Sequence, residues 1–170
     1  MGLNDFIRDI PDFPKKGIIF KDITTLIGKG KLFQKTVDSI VTHYKGKGIN
    51  KVIGIESRGF IFGAAVAYGL GAGFVPIRKK GKLPYKTVSG TYQLEYGTDT
   101  IEMHEDAVNK GEKVLIIDDL LATGGTMKAT ADLVKNSGAN IEGISFLVEL
   151  TFLKGREKLS GYDVFSLIKF

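Results

Sequence analysis

Residues Val114 to Thr126 read V-L-I-I-D-D-L-L-A-T-G-G-T, and the rest of the chain is organised around them. Val114, Leu115, Ile116 and Ile117 form an unbroken apolar run, as a parallel strand covered on both faces requires, with Lys113 as the last polar residue before it. Two acids, Asp118 and Asp119, follow at its carboxyl end. After Ala122, Thr123, Gly124, Gly125 and Thr126 the spacing turns helical from Met127, with Leu133, Ala131 and Val134 on the inner face. The order is strand, acidic pair, glycine loop, helix. Adjacent glycines let backbone N–H groups converge, two threonine hydroxyls add donors, and the helix contributes its positive end. Such a loop suits a phosphate monoester.

The loop is neither G-x-x-x-x-G-K-[ST] nor G-x-G-x-x-G, which excludes the nucleotide P-loop and the dinucleotide fingerprint. Gly124-Gly125 alone is also compatible with an ordinary strand-to-helix turn. The acids weigh against that plainer reading. Beside an anion cradle, Asp118 and Asp119 would repel the ligand unless they served another part of it, and ribose hydroxyls or a Mg²⁺ between sugar and phosphates would fit them.

The chain has 170 residues, a single domain's length, 1–170, long enough to bury roughly two-thirds of its unfolded surface. It contains no cysteine, so disulfides and thiolate zinc sites are excluded, which suits a reducing cytoplasm. No basic segment leads into an apolar core near Met1, and no apolar run reaches membrane length, so a non-exported protein with no membrane association is expected. Formal charge is +5, from 24 basic and 19 acidic residues, with a cluster at Arg78, Lys79, Lys80, Lys82 and Lys86. A patch of that kind attracts polyanions, either nucleic acid or a small phosphorylated substrate.

Leu3 to Ile10 reads as a short helix ended by Pro11, followed by a turn-rich link and an extended Ile18-Ile19-Phe20. Lys31 to Tyr44 carries apolar residues at helical spacing, and Val52 to Ile55 reads as a strand. Glu56-Ser57-Arg58-Gly59 then turns into a helix over 60–68. In an open α/β sheet ligands collect beyond the carboxyl ends of strands, so Arg58 is a candidate anion ligand. The alternative is a solvated Glu56–Arg58 pair, worth about 0 to 1 kcal/mol. Phe74 to Ile77 is a third strand. Residues 81–98 form a long excursion, expected to pair as a hairpin around Ser89-Gly90 and to serve as a lid. Glu102 to Asp106 reads as an exposed acidic turn or short helix, not a metal cluster, since His43 and His104 are the only histidines. Ile141 to Leu150 and Val164 to Ile168 are further strands, with a solvated charged helical segment at Lys154 to Lys158. Strands alternating with helices indicate an α/β protein with a mostly parallel sheet.

Several blocks occur together and in order. They are Pro11-Asp12-Phe13-Pro14, Gly17 to Asp22, Glu56-Ser57-Arg58-Gly59-Phe60, Arg78 to Pro84, Leu94-Glu95-Tyr96-Gly97 and the stretch from Val114 to Thr126. This combination resembles the type I phosphoribosyltransferases across nearly the whole chain, and within them the members that use adenine. The resemblance implies transfer of a phosphoribosyl group from 5-phosphoribosyl 1-diphosphate (PRPP) to adenine, giving AMP and pyrophosphate with Mg²⁺. It further implies a cytoplasmic homodimer, a five-stranded parallel core flanked by helices, a small N-terminal hood over about 1–30 and a mobile lid over about 79–98. No nucleic-acid partner is implied.

Carried over residue by residue, the resemblance assigns Ala122, Thr123, Gly124, Gly125 and Thr126 to the 5′-phosphate and Asp118 with Asp119 to the ribose hydroxyls. Ser57, Arg58, Arg78 and Lys82 match the pyrophosphate contacts, with Arg78 reaching across a dimer interface. Glu95 matches the lid carboxylate that handles the purine's proton, with Tyr96 beside it, and Arg58 joins them as a catalytic group. Ile19, Phe20 and Lys21 match the hood segment against adenine, with Leu150 as a further wall. The metal is held mainly by PRPP and water rather than by a dedicated protein site. Relatives that use 6-oxopurines place an acid where Ala122 stands. Two rivals remain: another phosphoribosyltransferase of the class, and a non-enzymatic PRPP-sensing regulator that binds nucleic acid through the basic patch.

Overall fold

The computed structural model describes residues 2–94 and 97–170. Five strands make the parallel core: β3 (Lys51–Ile55), β4 (Gly73–Lys79), β7 (Lys113–Leu121), β8 (Asn140–Glu149) and β9 (Val164–Lys169). An antiparallel pair, β5 (Thr87–Leu94) and β6 (Gly97–His104), extends the sheet to seven strands in the order β5-β6-β4-β3-β7-β8-β9. A separate two-stranded sheet is made by β1 (Arg8–Pro11) and β2 (Ile19–Asp22). The helices are α1 (Thr24–Ile27), α2 (Gly30–Tyr44), α3 (Arg58–Leu70) and α4 (Gly125–Asn136).

The apolar run of β7 explains its central position. Side chains alternate along a strand, so Val114 and Ile116 join one buried cluster while Leu115 and Ile117 join the other. The first cluster lies under α4 and contains Met127, Ala131 and Val134; the second lies under α2 and α3 and contains Ile40, Tyr44, Phe62 and Val66. Each fully buried aliphatic side chain contributes about 1.5–3 kcal/mol, so Ile116→Ala in this layer would cost about 2–5 kcal/mol. Both acids lie within the strand, because β7 continues to Leu121 alongside β8.

Four local expectations are corrected. Only Leu3–Phe6 is helical, as one 3-10 turn, because Arg8 to Pro11 pairs with Ile19 to Asp22 and Arg8 reaches the Asp22 carboxylate at 2.5 Å. Ser89 and Gly90 are not a turn. They pair with Glu102 and Ile101 inside the ladder, and Gly90 lies so near α4 that a Cβ there would stand 3.3 Å from the Ala129 carbonyl oxygen. That close approach, not a bend, is the reason for the glycine. Glu102 is buried in β6 and accepts the Gly81 N–H at 2.9 Å, so it is no exposed turn residue. Arg156, in the 3-10 turn Gly155–Leu159, is not solvated helix: its Nε donates to buried Glu149 at 2.9 Å and its Nη1 to the Val164 carbonyl at 2.8 Å. No helix among the described residues is long and apolar enough to cross a membrane.

Candidate active site

The carboxyl ends of the parallel strands β3, β4, β7 and β8 carry Ser57-Arg58, Arg78, the loop over 122–126 and Leu150, at the edge where an open parallel sheet gathers its ligands. After β7 the chain bends through Ala122 to Gly124, with Gly124 in the left-handed region at φ 79°, and enters α4. The backbone N–H groups of Thr123, Gly124, Gly125 and Thr126 have no carbonyl partner in the surrounding turns. Residues 120–127 with Asp118 and Phe146 enclose a cavity of about 90 Å³, several times the roughly 30 Å³ that a water molecule occupies in the liquid. Free donors, room and a helix N-terminus are what an anion needs.

The loop is backed by glycine on glycine. A Cβ on Gly124 would stand 2.5 Å from the Gly155 carbonyl oxygen, and one on Gly155 would come closer still to the Ala122 carbonyl oxygen. Gly155 is therefore part of the site, and Arg156 anchors it through Glu149, the residue before Leu150. Leu150 itself is buried, its N–H donating to the Leu121 carbonyl at 2.9 Å. That hydrogen bond ties the base-wall candidate to the end of β7, where the glycine loop begins.

Asp118 is half-buried and Asp119 buried, and the Asp118 carboxylate accepts the Asp119 N–H at 2.8 Å. Burial pushes the Asp118 carboxyl well up, and the neighbouring Asp119 charge adds to this. Burial also raises Asp119, opposed by the positive charge of Arg58. Gly59 fits beneath the pair: a Cβ there would lie 2.8 Å from Asp118 Oδ1.

Arg58 does not pair with Glu56. Its Nε lies 2.8 Å from Asp119 Oδ2, in a geometry that leaves that oxygen without an aligned hydrogen bond, and its guanidinium stands 4.8 Å from the centre of the Phe20 ring. Arg58 thereby bridges Asp119 and Phe20. Glu56 faces the other way. It accepts the Lys79 N–H at 2.8 Å, bonds Lys82 Nζ, and lies 3.4 Å from Arg78 Nε, which has no other hydrogen bond although buried. Burial tends to raise the Glu56 carboxyl, but the contacts with Lys82, the Lys79 amide and Arg78 outweigh it and hold the group below its ordinary value. Ser57 lies in the turn between Glu56 and α3.

On the hood, Ile19 is exposed, Phe20 is half-buried and meets Phe13 edge to face at 5.1 Å. Lys21 turns its ammonium to Asp9 at 2.7 Å and over the Phe170 ring at 3.9 Å, so its side chain fastens the hood rather than projecting into the crevice. Glu95 and Tyr96 lie outside the described residues. The flanking strands carry a feature that sequence reading missed: Tyr92 donates to Asp99 at 3.2 Å, Lys79 pairs with Asp99 at 3.1 Å, and the Tyr92 ring lies 3.8 Å from where a Gly125 Cβ would be. Alternation of Tyr92 and Leu94 in a strand was the only signal available for it.

A family model described as "Phosphoribosyl transferase domain" matches residues 24–168. An adenine phosphoribosyltransferase of Syntrophotalea carbinolica is 60% identical over 168 residues, covering 99% of this chain and 98% of that protein. The crystal structure of adenine phosphoribosyltransferase from Thermoanaerobacter pseudethanolicus superposes with a TM-score of 0.96 at 54% identity, covering 99% of this chain and 98% of the other. The enzyme of Saccharomyces cerevisiae, solved with D-2,5-dideoxy-2,5-imino-altritol 1,6-bisphosphate and adenine, gives 0.93 at 42% identity, covering 97% and 96%. A parallel sheet that ends in this glycine loop, and this extent of likeness along the whole length, place the chain in the phosphoribosyltransferase family, among the adenine phosphoribosyltransferases.

Proposed function

We propose that this protein converts adenine and PRPP into AMP and pyrophosphate. The observation that carries this reading is the glycine loop: unpartnered amides at a helix N-terminus, around a cavity of about 90 Å³, two residues beyond a pair of acids in β7. That spacing suits a sugar phosphate held at one end by the loop and at its hydroxyls by Asp118 and Asp119.

Cleavage of the anomeric bond leaves positive charge on the ribosyl ring and negative charge on the departing diphosphate. Arg78 and Lys82 are positioned to meet the diphosphate, and preorganised charge of this kind usually contributes most to catalysis. Arg58, between Asp119 and Phe20, orients the ribose acids toward the base and is available to the diphosphate through its remaining N–H groups. Glu95 takes the proton released when the purine nitrogen bonds to the ribosyl carbon, with Tyr96 beside it. Phe20, Ile19 and Leu150 sandwich the base, and the hood backbone near Lys21 reads its edge. Ala122, which has no carboxylate, favours adenine over a 6-oxopurine.

Among the described residues no group of three or more metal-binding side chains is present, and Asp119 Oδ2 already faces Arg58 at 2.8 Å, so a hard cation such as Mg²⁺ at this pair of acids would take most of its ligands from water and substrate oxygens. Asp118 and Asp119 would hold it in part, and when bound it neutralises charge on the diphosphate.

A homodimer in the cytoplasm completes the proposal. Ile61 and the strongly exposed Tyr68 on α3 leave apolar surface suited to a second copy, and sedimentation checks the assembly. The decisive experiment compares adenine, hypoxanthine, guanine and orotate with PRPP in one assay. AMP formation confined to adenine supports the proposal; conversion of a 6-oxopurine instead, or none at all, refutes it.

A further inference from the structure

Four basic residues at the proposed diphosphate end already have a carboxylate. Arg58 is on Asp119, Lys79 on Asp99, and both Arg78 and Lys82 converge on Glu56. Glu56 differs from the other acids in holding two of the proposed diphosphate ligands at once, while the Lys79 amide fixes its Oε2 at 2.8 Å. Its side chain is 11% exposed, against 48% for Lys82 and 35% for Arg78. The acid is therefore the fixed member and the cations are the mobile ones. Arg78 Nε lies 3.4 Å from Glu56 without an aligned hydrogen bond, and Nη1 donates only a long bond to the Lys82 carbonyl at 3.3 Å, so the guanidinium is held loosely.

We infer that Glu56 is a positioning residue that acts as a resident counter-anion, occupying Arg78 and Lys82 until a diphosphate takes them, and lowering the affinity of the site for that anion. The inference rests on the assignment of Arg78 and Lys82 to the diphosphate. With the carboxylate present, the trio carries one net positive charge; the site stays assembled without being so positive that it retains its product. The flexible Lys82 stem lets its ammonium exchange partners without moving the backbone. Glu56 itself touches neither the ribosyl carbon nor the base.

The test is product inhibition by pyrophosphate against PRPP. Glu56→Gln keeps the shape and an acceptor for the Lys79 amide but removes the charge; Glu56→Ala removes both, and thermal melting confirms that each is folded. Removing one like charge a few ångströms from a bound anion is worth on the order of tenfold in affinity. The inhibition constant for pyrophosphate is expected to fall by about that factor in either variant, KM for PRPP to fall with it and kcat not to rise. The difference from the parent should shrink at high ionic strength. A purely structural role for Glu56 would raise the inhibition constant instead, and an unchanged or raised constant in the folded variants overturns the inference. Lys82→Ala in the parent background separates the two levels. If it weakens pyrophosphate inhibition while Glu56→Gln fails to strengthen it, only the counter-anion role falls; if it leaves inhibition unmoved, the diphosphate assignment falls and the inference with it.

Discussion

Gly124 and Gly155 lie back to back, with the Gly155 carbonyl oxygen 2.5 Å from where a Gly124 Cβ would be. The phosphate loop therefore has no slack behind it. Gly155→Ala must push Ala122 and Gly124 forward into the cavity. Overpacking of this kind costs about 1–3 kcal/mol, and the displaced amides should raise KM for PRPP while leaving adenine binding little changed. Thermal melting together with KM for each substrate checks this.

Arg58→Lys is expected to be nearly as damaging as Arg58→Ala. An ammonium cannot place a flat face on Phe20 while serving Asp119. Loss of one preorganised charge typically lowers turnover on the order of 10²-fold, so steady-state kcat for the lysine variant should fall to that extent rather than recover.

Glu95→Gln should lower kcat by ~10² to 10⁴-fold with little change in KM for PRPP. Near-normal turnover would remove Glu95 from proton transfer.

Asp22 sets a pH dependence on the hood. The Thr24 hydroxyl and the Thr24 N–H, the latter at 2.9 Å, with Arg8 after them, pull its carboxyl from 3.8 down to about 2. A depressed folded value means that the ionised acid stabilises the fold fully above the unfolded value near 3.8, and that this is lost as pH falls through about 2. With Arg8 largely exposed, the contribution is about 1 to 2 kcal/mol. Asp22→Asn should melt lower than the parent at neutral pH, and the gap should close between pH 4 and 2. A gap that persisted at the acid end would show that the ionisation is not its source.

Much of this was legible in the chain. The four apolar residues before Asp118 announced a doubly covered strand, and Gly124-Gly125 announced the loop, because local chemistry alone decides both. Contacts between distant residues stayed hidden. Nothing near Arg8 says that it will pair with Asp22, so the helical spacing of Leu3 to Ile10 misled. Gly90 looked like a turn residue because its true constraint, the Ala129 carbonyl, lies on another element. Glu56 and Arg58, two residues apart, suggested a pair, yet the turn sends them to opposite sides, one to Lys82 and the other to Asp119. Gly155 read as part of a solvated segment from Lys154 to Lys158 for the same reason.

The sheet formed by β1 and β2 shares no ladder with the seven-stranded sheet. It is tethered through side chains such as Lys21, whose ammonium lies over the Phe170 ring, and Phe20, whose ring faces the Arg58 guanidinium. Swinging this flap would rupture none of the central backbone bonds, so nucleobase entry and nucleotide departure can proceed while the sugar-phosphate end keeps its rigidity. Amide protons of Ile10 and Phe20 should accordingly trade with deuterium far sooner than those of Ile116.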